Sequence, residues 1–157
     1  MKKLYPILII ICFGLLQAGC SKDFLKSYDK RIQGSWKIID VDRVGIGGNI
    51  SSLAFKEGSF VFTDDGKLQY TNNAGETYSG SWNIRKKRLT GNCSTNENGS
   101  RNCDDKTVQS LSLTAVNFTT QDVKSEFFDD LQFTSTNRFK AYIYSGTKTY
   151  VFRFLRL

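Results

Sequence analysis

The sequence predicts an all-β domain over residues 33–157, an antiparallel meander barrel of eight or nine strands, with a two-sheet β-sandwich as the alternative. Three observations indicate this class. Apolar and polar residues alternate in successive short segments, which is the period of a strand. Short turns join these segments and no long helix separates any two, so neighbouring strands run antiparallel. The chain also holds 12 Phe, 7 Tyr and 2 Trp in 157 residues, which favours strands around a large apolar core.

Residues 1–19 are predicted to be an export signal. A short basic segment precedes an apolar run over 4–16, which has the length of a signal peptide and is too short to span a bilayer with ease. Ala18 and Gly19 stand directly before Cys20, and this segment resembles the cleavage box of bacterial lipoproteins. The resemblance implies that the signal is cut before Cys20 and that the cysteine carries a diacylglycerol and an acyl chain such as palmitate. An ordinary secretory signal and an uncleaved anchor are the alternatives.

Residues 20–32 are predicted to be a lipidated tether with a short amphipathic helix. Leu25, Tyr28 and Ile32 recur at helical spacing with charged residues between them. Ser21 follows the cysteine, and by resemblance to bacterial lipoproteins this implies the outer membrane, on its periplasmic or its cell-surface face. The membrane is therefore an expected partner, because several acyl chains hold a protein firmly. Export disfavours nucleic acid as a partner, although the formal net charge is +7.

The first strand of the domain is predicted over 34–44 with an irregularity in its middle. Trp36 and Ile38 occupy one face, whereas Ile39 and Val41 occupy the other. This change of phase indicates a bulge or a sharp bend, which is common in barrels and in strongly coiled sheets.

Alternating segments predict the remaining strands. Phe60 and Phe62 lead into an Asp-Asp-Gly turn, and Leu68 and Tyr70 lead away from it, which is typical of a β-hairpin. The other strands are predicted at 78–84, 108–116, 127–134, 138–144 and 149–155. The basic run at 85–88 is predicted to be a solvated turn that reverses the chain, and contact with anionic headgroups is the alternative.

The positions of the four cysteines indicate different roles for them. Cys12 lies in the signal and Cys20 at the lipid attachment point, so Cys93 and Cys103 are the thiols left to the exported domain. They most simply form a disulfide around the polar segment 94–102, which is predicted to be a loop. Metal binding is the alternative, but two sulfurs without histidine make an incomplete site, so neither a metal nor a cofactor is expected.

The absence of histidine from the sequence removes most enzyme designs, because no imidazole base can activate a serine or a cysteine. The paired acids at 64–65, 104–105 and 129–130 are the remaining catalytic candidates. Neighbouring residues on a strand point to opposite faces, however, and acids in turns are usually solvated. We therefore expect no catalytic residue and no enzyme.

Several segments resemble lipocalins. Gly-Ser-Trp at 34–36, on the first strand after a short helix, is similar to the Gly-x-Trp signature of that family. Segments 60–66 and 78–84 are similar to the middle of lipocalin-like lipoproteins of Bacteroidetes. The resemblance implies a barrel whose interior holds a small hydrophobic or amphipathic ligand. It also implies that Arg153 or Arg156 packs on the tryptophan of the first strand.

The expected function is therefore that of a membrane-anchored, lipocalin-like binding protein of the cell envelope. The candidate ligand-binding residues, which are also the expected core, are Trp36, Phe60, Phe62, Tyr70, Tyr78, Trp82, Phe133, Phe139 and Phe152. The alternative is a non-catalytic accessory lipoprotein, in which a filled barrel presents the 93–103 loop and the basic run to an outer-membrane protein assembly. An open apolar interior would favour the first function and a filled interior the second.

Overall fold

One short helix and eleven strands make up the part of the chain that the structure describes. The structure is a computed structural model, and it describes residues 26–157 except Thr90 and Asn92. The predicted signal and Cys20 lie outside the described residues. The elements are α1 (Tyr28–Ile32), β1 (Gly34–Gly45), a 3₁₀ turn (Ile50–Ser52), β2 (Ser59–Phe62), β3 (Lys67–Thr71), β4 (Thr77–Leu89), β5 (Cys93–Thr95), β6 (Arg101–Cys103), β7 (Lys106–Val116), β8 (Val123–Phe128), β9 (Asp130–Ser135), β10 (Arg138–Ser145) and β11 (Lys148–Arg156).

Nine of the described strands form one antiparallel sheet in the order β8-β7-β4-β3-β2-β1-β11-β10-β9, and β5 and β6 form a separate small sheet. Sheet neighbours are also chain neighbours, apart from the pairing of β1 with β11 and the detour through β5 and β6 between β4 and β7. The prediction of an all-β antiparallel fold with eight or nine strands and a short N-terminal helix is confirmed. One large sheet is present instead of the two sheets of the alternative sandwich.

The large sheet is not closed, because the described residues of its edge strands β8 and β9 do not pair with each other. These strands are consecutive in the chain, and only Asp129 separates them. The N–H of Asp129 donates to the carbonyl of Tyr142 at 2.7 Å. Its carboxylate accepts from the N–H of Tyr144 at 2.9 Å and from Nζ of Lys87 at 2.7 Å. The chain thus passes directly from one edge of the sheet to the other, where the sequence predicted a single strand over 127–134.

The predicted irregularity of β1 is a bulge. The pairing of β1 with β11 shifts between Ile38 and Asp40, which leaves Ile39 as the extra residue. Trp36 and Ile38 are buried, Ile39 is 45% exposed, and Val41 packs against the core again. The bulge therefore keeps apolar side chains from both halves of this long strand on the inner face.

The inner face of the sheet is filled with large apolar side chains. Because alternate residues of a strand point to one face, each strand of the large sheet delivers its apolar set to the same interior. The buried cluster consists of Ile32, Trp36, Ile38, Phe55, Phe60, Phe62, Leu68, Tyr70, Tyr78, Trp82, Leu111, Leu113, Ala115, Phe128, Leu131, Phe139, Ala141, Tyr150, Phe152 and Phe154. The core thus occupies the inside of the rolled sheet.

The basic run at 85–88 belongs to a strand, so the prediction of a turn was wrong. β4 continues through it to Leu89 and pairs with β7 from Ser79 opposite Val116 to Leu89 opposite Lys106. Backbone pairing with β7 outweighs the low strand preference of charged residues, and their long side chains still reach solvent.

The segment 94–102 also contains strands where a loop was predicted. β5 and β6 pair with Cys93 opposite Cys103, and Gly99 has a φ of 73° in the turn between them. The predicted disulfide joins the two cysteines, whose Cα atoms lie 4.0 Å apart, and is confirmed. Residues 93–103 are called the arm below.

The rolled sheet has two ends, which follow from the alternating strand directions. The tether end holds α1, the β2–β3 turn, the arm, the β9–β10 turn and the end of β11. The opposite end, called the mouth, holds the segment 46–58 between β1 and β2 and the turns 72–76, 117–122 and 146–147.

Candidate functional site

The structure brings the nine predicted ligand-binding side chains together in one aromatic cluster. Eight of them are buried and Phe133 is half-buried. Some of their rings are in direct contact, with centroids 4.7 Å apart for Trp36 and Phe139 and 4.8 Å for Phe60 and Tyr70. The rings of Phe128 and Phe154 connect the others, since Phe152 contacts Phe128, and Phe154 contacts both Phe60 and Phe139. Three surface clefts have volumes of about 260, 350 and 270 Å³, and none of the nine side chains lines them. These side chains therefore occupy the inside of the sheet, and none of the three clefts opens between them.

The tether end is closed by Trp36 and Arg156. The indole N–H of Trp36 donates to the carbonyl of Ile32 at 2.6 Å, at the end of α1. The guanidinium of Arg156 lies 4.2 Å from the Trp36 ring and donates to the carbonyls of Arg31 and Gln33 at 2.6 and 2.8 Å. The expected arginine–tryptophan contact is thus made by Arg156. These contacts satisfy carbonyls at the C-terminal end of α1, which a helix leaves without intrahelical partners.

Arg153, the other candidate for that contact, has a different role. It lies on β11 opposite Asp40 of β1 and pairs with Asp40 and Asp42 on the outer surface. The outcome follows from the alternation of β11, since Phe152 and Phe154 point inward and Arg153 between them points outward.

The mouth is plugged by Phe55, a residue that the sequence analysis did not single out. Phe55 comes from the segment between β1 and β2, yet it is completely buried. Its ring centroid lies 4.9 Å from that of Tyr70 and 5.6 Å from that of Phe60. Leu53 and Ala54 pack on the same core. A loop has no regular spacing of apolar residues, so the short apolar run from Leu53 to Phe55 was the available signal in the sequence.

Glu126 holds the plug in place. It lies on β8 opposite Leu113 of β7, and directly opposite residues of an antiparallel pair share a face, so its side chain points inward. Its Oε2 accepts a hydrogen bond from the N–H of Ala54 at 3.0 Å. Burial raises the pKa of Glu126, against the lowering effect of hydrogen bonds from the N–H groups of Ala54 and Phe127. A half-buried carboxylate therefore lies at the edge of an aromatic interior.

Glycines stand at both ends of the segment 46–58. Gly45 precedes it with a φ of 102°, Gly47 and Gly48 lie near its start with φ values of 77° and 79°, and Gly58 is its last residue with a φ of 100°. A Cβ on Gly58 would lie 2.4 Å from the carbonyl oxygen of Thr71, so only glycine fits there. Such positions can absorb large changes of backbone angle when a loop moves.

Four of the six paired acids that were the catalytic candidates have structural partners, namely Asp65, Asp105, Asp129 and Asp130. Hydrogen bonds from Lys67 and from Thr63 lower the pKa of Asp65 to about 2 in the β2–β3 turn. Asp130 is 2% exposed, and its Oδ2 lies 2.5 Å from Nε2 of Gln132 and 3.5 Å from Nζ of Lys106. Asp129 joins the two sheet edges as described above. These carboxylates stabilise turns and edges of the sheet.

Comparison with family models, with curated proteins and with solved structures finds no match to this chain. Within residues 26–157 as described, no helix is long and apolar enough to cross a bilayer. Function is therefore inferred from the residues themselves.

The mouth combines an aromatic interior, a ring that plugs it and a carboxylate at its edge. If the segment 46–58 moves on the glycines at its two ends, Phe55 leaves the interior and the rings of Phe60 and Tyr70 become accessible. Glu126 then loses the N–H of Ala54 and can accept a hydrogen bond from another donor. The arrangement can thus accommodate an apolar group next to a polar one.

Proposed function

We propose that this chain is a lipocalin-like lipoprotein of the bacterial outer membrane, anchored through Cys20, that binds a small hydrophobic or amphipathic ligand at the mouth. One observation carries the proposal: the fully buried ring of Phe55 comes from a loop and not from a strand. A ring on a loop can leave the interior without breaking the pairing of any strand in the large sheet.

The ligand takes the place of Phe55. Since the interior is otherwise filled, the ligand is small, and its apolar part packs against Phe60 and Tyr70. Its polar part lies at the edge of the mouth, where Glu126 accepts a hydrogen bond from it in place of the N–H of Ala54. A neutral or cationic donor suits this position better than an anion, because a second negative charge beside a half-buried carboxylate is unfavourable.

The sequence before the domain supports the anchor and the envelope location. The apolar run over 4–16 and the small residues before Cys20 have the pattern of a lipoprotein signal. The contact of Arg156 with Trp36 supports the likeness to lipocalins, because it is the contact that this likeness implied.

An accessory role in an outer-membrane protein assembly is the second candidate, and the filled interior favours it. In this function the domain serves as a rigid support, and the arm is the contact surface. The disulfide fixes the arm, and Arg88 of β4 pairs with Asp105 at its base. Arg85 and Lys86 remain exposed beside it.

The substitution Phe55→Ala tests ligand binding. Burial of a phenylalanine side chain contributes about 1.5–3 kcal/mol. A ligand that displaces Phe55 loses this contribution in wild type, but not in the variant. We therefore expect the affinity for the neutral probe N-phenyl-1-naphthylamine to rise by about 10- to 100-fold, since 1.4 kcal/mol corresponds to tenfold. The measurement is a fluorescence titration, with palmitic acid as a competitor.

Phe62→Ala is the matched control, because Phe62 is equally buried but lies on β2 at the tether end. It should lower stability without raising the affinity for the probe. If wild type and Phe55→Ala both fold by circular dichroism and neither binds the probe, ligand binding at the mouth is contradicted. Crosslinking of a membrane protein by wild type, lost when Arg85 and Lys86 are changed to Gln, would then support the accessory role.

A further inference from the structure

A basic cleft lies at the tether end, between α1 and the β9–β10 turn. Its volume is about 260 Å³. The residues that line it are Lys26, Lys30, Arg31, Thr136, Asn137 and Arg156. All six side chains can donate hydrogen bonds, four carry a positive charge, and none of these described lining residues is acidic. This donor set matches the oxygens of a phosphate group, which accept hydrogen bonds and carry negative charge.

Two of the cations are held in place by other contacts. Arg156 is fixed on Trp36 and on the carbonyls at the end of α1. The guanidinium of Arg31 lies 4.1 Å from the centroid of Phe133. A site whose charged groups are already oriented binds an anion at a lower entropic cost than mobile surface lysines do.

Two of the four cations of the cleft have no acidic side chain as a partner in the described part of the chain. In the described part of the chain, neither Lys30 nor Arg31 forms an ion pair with an Asp or Glu side chain. Asp29 lies on the same helix but does not line the cleft. Lys30 and Arg31 therefore give the cleft positive charge at the tether end.

The tether limits how far the cleft can lie from the anchoring bilayer. Lys26 lies six positions after Cys20, and a fully extended chain of that length spans about 20 Å at most. A cation near an anionic bilayer surface is attracted within a screening length of roughly 8 Å at physiological salt. The tether is therefore short enough for the cleft to contact the headgroup layer when the domain tilts towards the bilayer.

We propose that the basic cleft binds the phosphate group of a lipid headgroup in the membrane that carries the anchor. This inference rests on the anchoring through Cys20 in the proposed function. Binding would orient the domain with its tether end on the bilayer and its mouth away from it, because the two lie at opposite ends of the rolled sheet.

Vesicle binding tests the proposal without the lipid anchor. The chain from residue 21 onward contains the whole buried core, which extends from Ile32 to Phe154, so it is used unlipidated. Its partition is measured by cosedimentation with vesicles of phosphatidylcholine and with equal mixtures of phosphatidylcholine and phosphatidylglycerol. Changing Lys26 and Lys30 together to Gln removes two cleft charges. Changing Lys37 and Lys56 together to Gln is the matched control, since it removes the same charge elsewhere on the surface.

We expect the cleft variant to lose about tenfold or more in partition onto the mixed vesicles, and the control to lose less than about threefold. Wild type should bind pure phosphatidylcholine weakly. Titration with inorganic phosphate should shift the amide resonances of residue 30, Thr136 and Asn137 in wild type and in the control, but not in the cleft variant.

Three results would overturn the proposal. An equal loss for both variants would mean general attraction of charge, without a site. Phosphate shifts without any dependence of vesicle binding on the cleft would point to a soluble phosphorylated compound. If phosphate causes no amide shift and the cleft variant loses no vesicle binding, the cleft binds neither free phosphate nor a lipid headgroup. Palmitate labelling of Cys20 tests the anchor separately, so failure of the anchor is distinguishable from failure of the cleft.

Discussion

Replacement of Arg156 by Ala should remove much of the stability of the tether end. Arg156 packs on the fully buried Trp36 and donates two short hydrogen bonds to the carbonyls of Arg31 and Gln33. It thus joins the last strand, the first strand and the helix before it. No neighbouring side chain that the structure describes can take over this set of contacts, because the guanidinium fork matches both carbonyls at once.

The expected loss is about 3 kcal/mol. A cation–π contact on a desolvated tryptophan contributes roughly 1–2 kcal/mol. Each hydrogen bond to a carbonyl contributes about 1 kcal/mol once the partial exposure of Arg156 is taken into account. Arg156→Lys should recover only about 1 kcal/mol of the loss, because lysine keeps the charge near Trp36 but has no planar fork.

Urea unfolding followed by tryptophan fluorescence measures this loss, and Arg153→Ala is the matched control. Arg153 lies on the same strand but pairs with Asp40 and Asp42 on the surface, where such pairs contribute about 1 kcal/mol or less. Arg156→Ala should also shift the emission of Trp36 to longer wavelength, as the ring becomes hydrated. Equal losses for the two variants, with an unchanged emission spectrum, would refute the role given to Arg156.

Two further predictions concern the mouth and the arm. Burial raises the pKa of Glu126 above its ordinary value of 4.5, so the folded state binds this proton more tightly than the unfolded state does. Wild type should therefore gain stability from this group as the pH falls from neutral towards 4.5, and Glu126→Gln should lack that gain. Melting temperatures measured at a series of pH values test this. An identical pH dependence of both proteins would contradict it. Changing Cys93 and Cys103 together to Ser should alter the unfolding free energy of the large sheet by less than about 1 kcal/mol, because the described residues of the arm add nothing to the buried core. Closure of the arm by the disulfide contributes about 2.5–3 kcal/mol locally, so proteolysis within 94–102 should become up to about a hundredfold faster, and an unchanged cleavage rate would argue against it.

Features that depend on local alternation could be predicted from the sequence. The hairpin around the Asp-Asp-Gly turn and the bulge at Ile39 follow from which apolar residues share a face. The sequence left two arginines as candidates for the contact with Trp36. Phe152 and Phe154 point inward, and Arg156 lies two residues further along the same face, so Arg156 is the one that reaches the tryptophan.

Features that depend on distant partners could not be predicted in this way. The basic run at 85–88 is a strand because β7 pairs with it, and that partner lies beyond the arm in the chain. Glu126 accepts a hydrogen bond from the N–H of Ala54, which lies far away in sequence and directly precedes the buried Phe55. Neither Glu126 nor Phe55 shows a periodic signal. The change of partner at Asp129 likewise depends on the carbonyl of Tyr142 and on Lys87, which lie on other strands.

The pairing of β1 with β11 also affects when the domain can fold. Trp36 lies opposite Arg156, so this ladder joins strands from the two extremes of the described chain. Contacts of such high sequence separation form slowly, because a long loop must close before they contribute. During synthesis β1 has no partner on this edge until all the other strands have left the ribosome. Late completion of the sheet would keep a newly made chain open along this edge of β1 until β11 is available to pair with it.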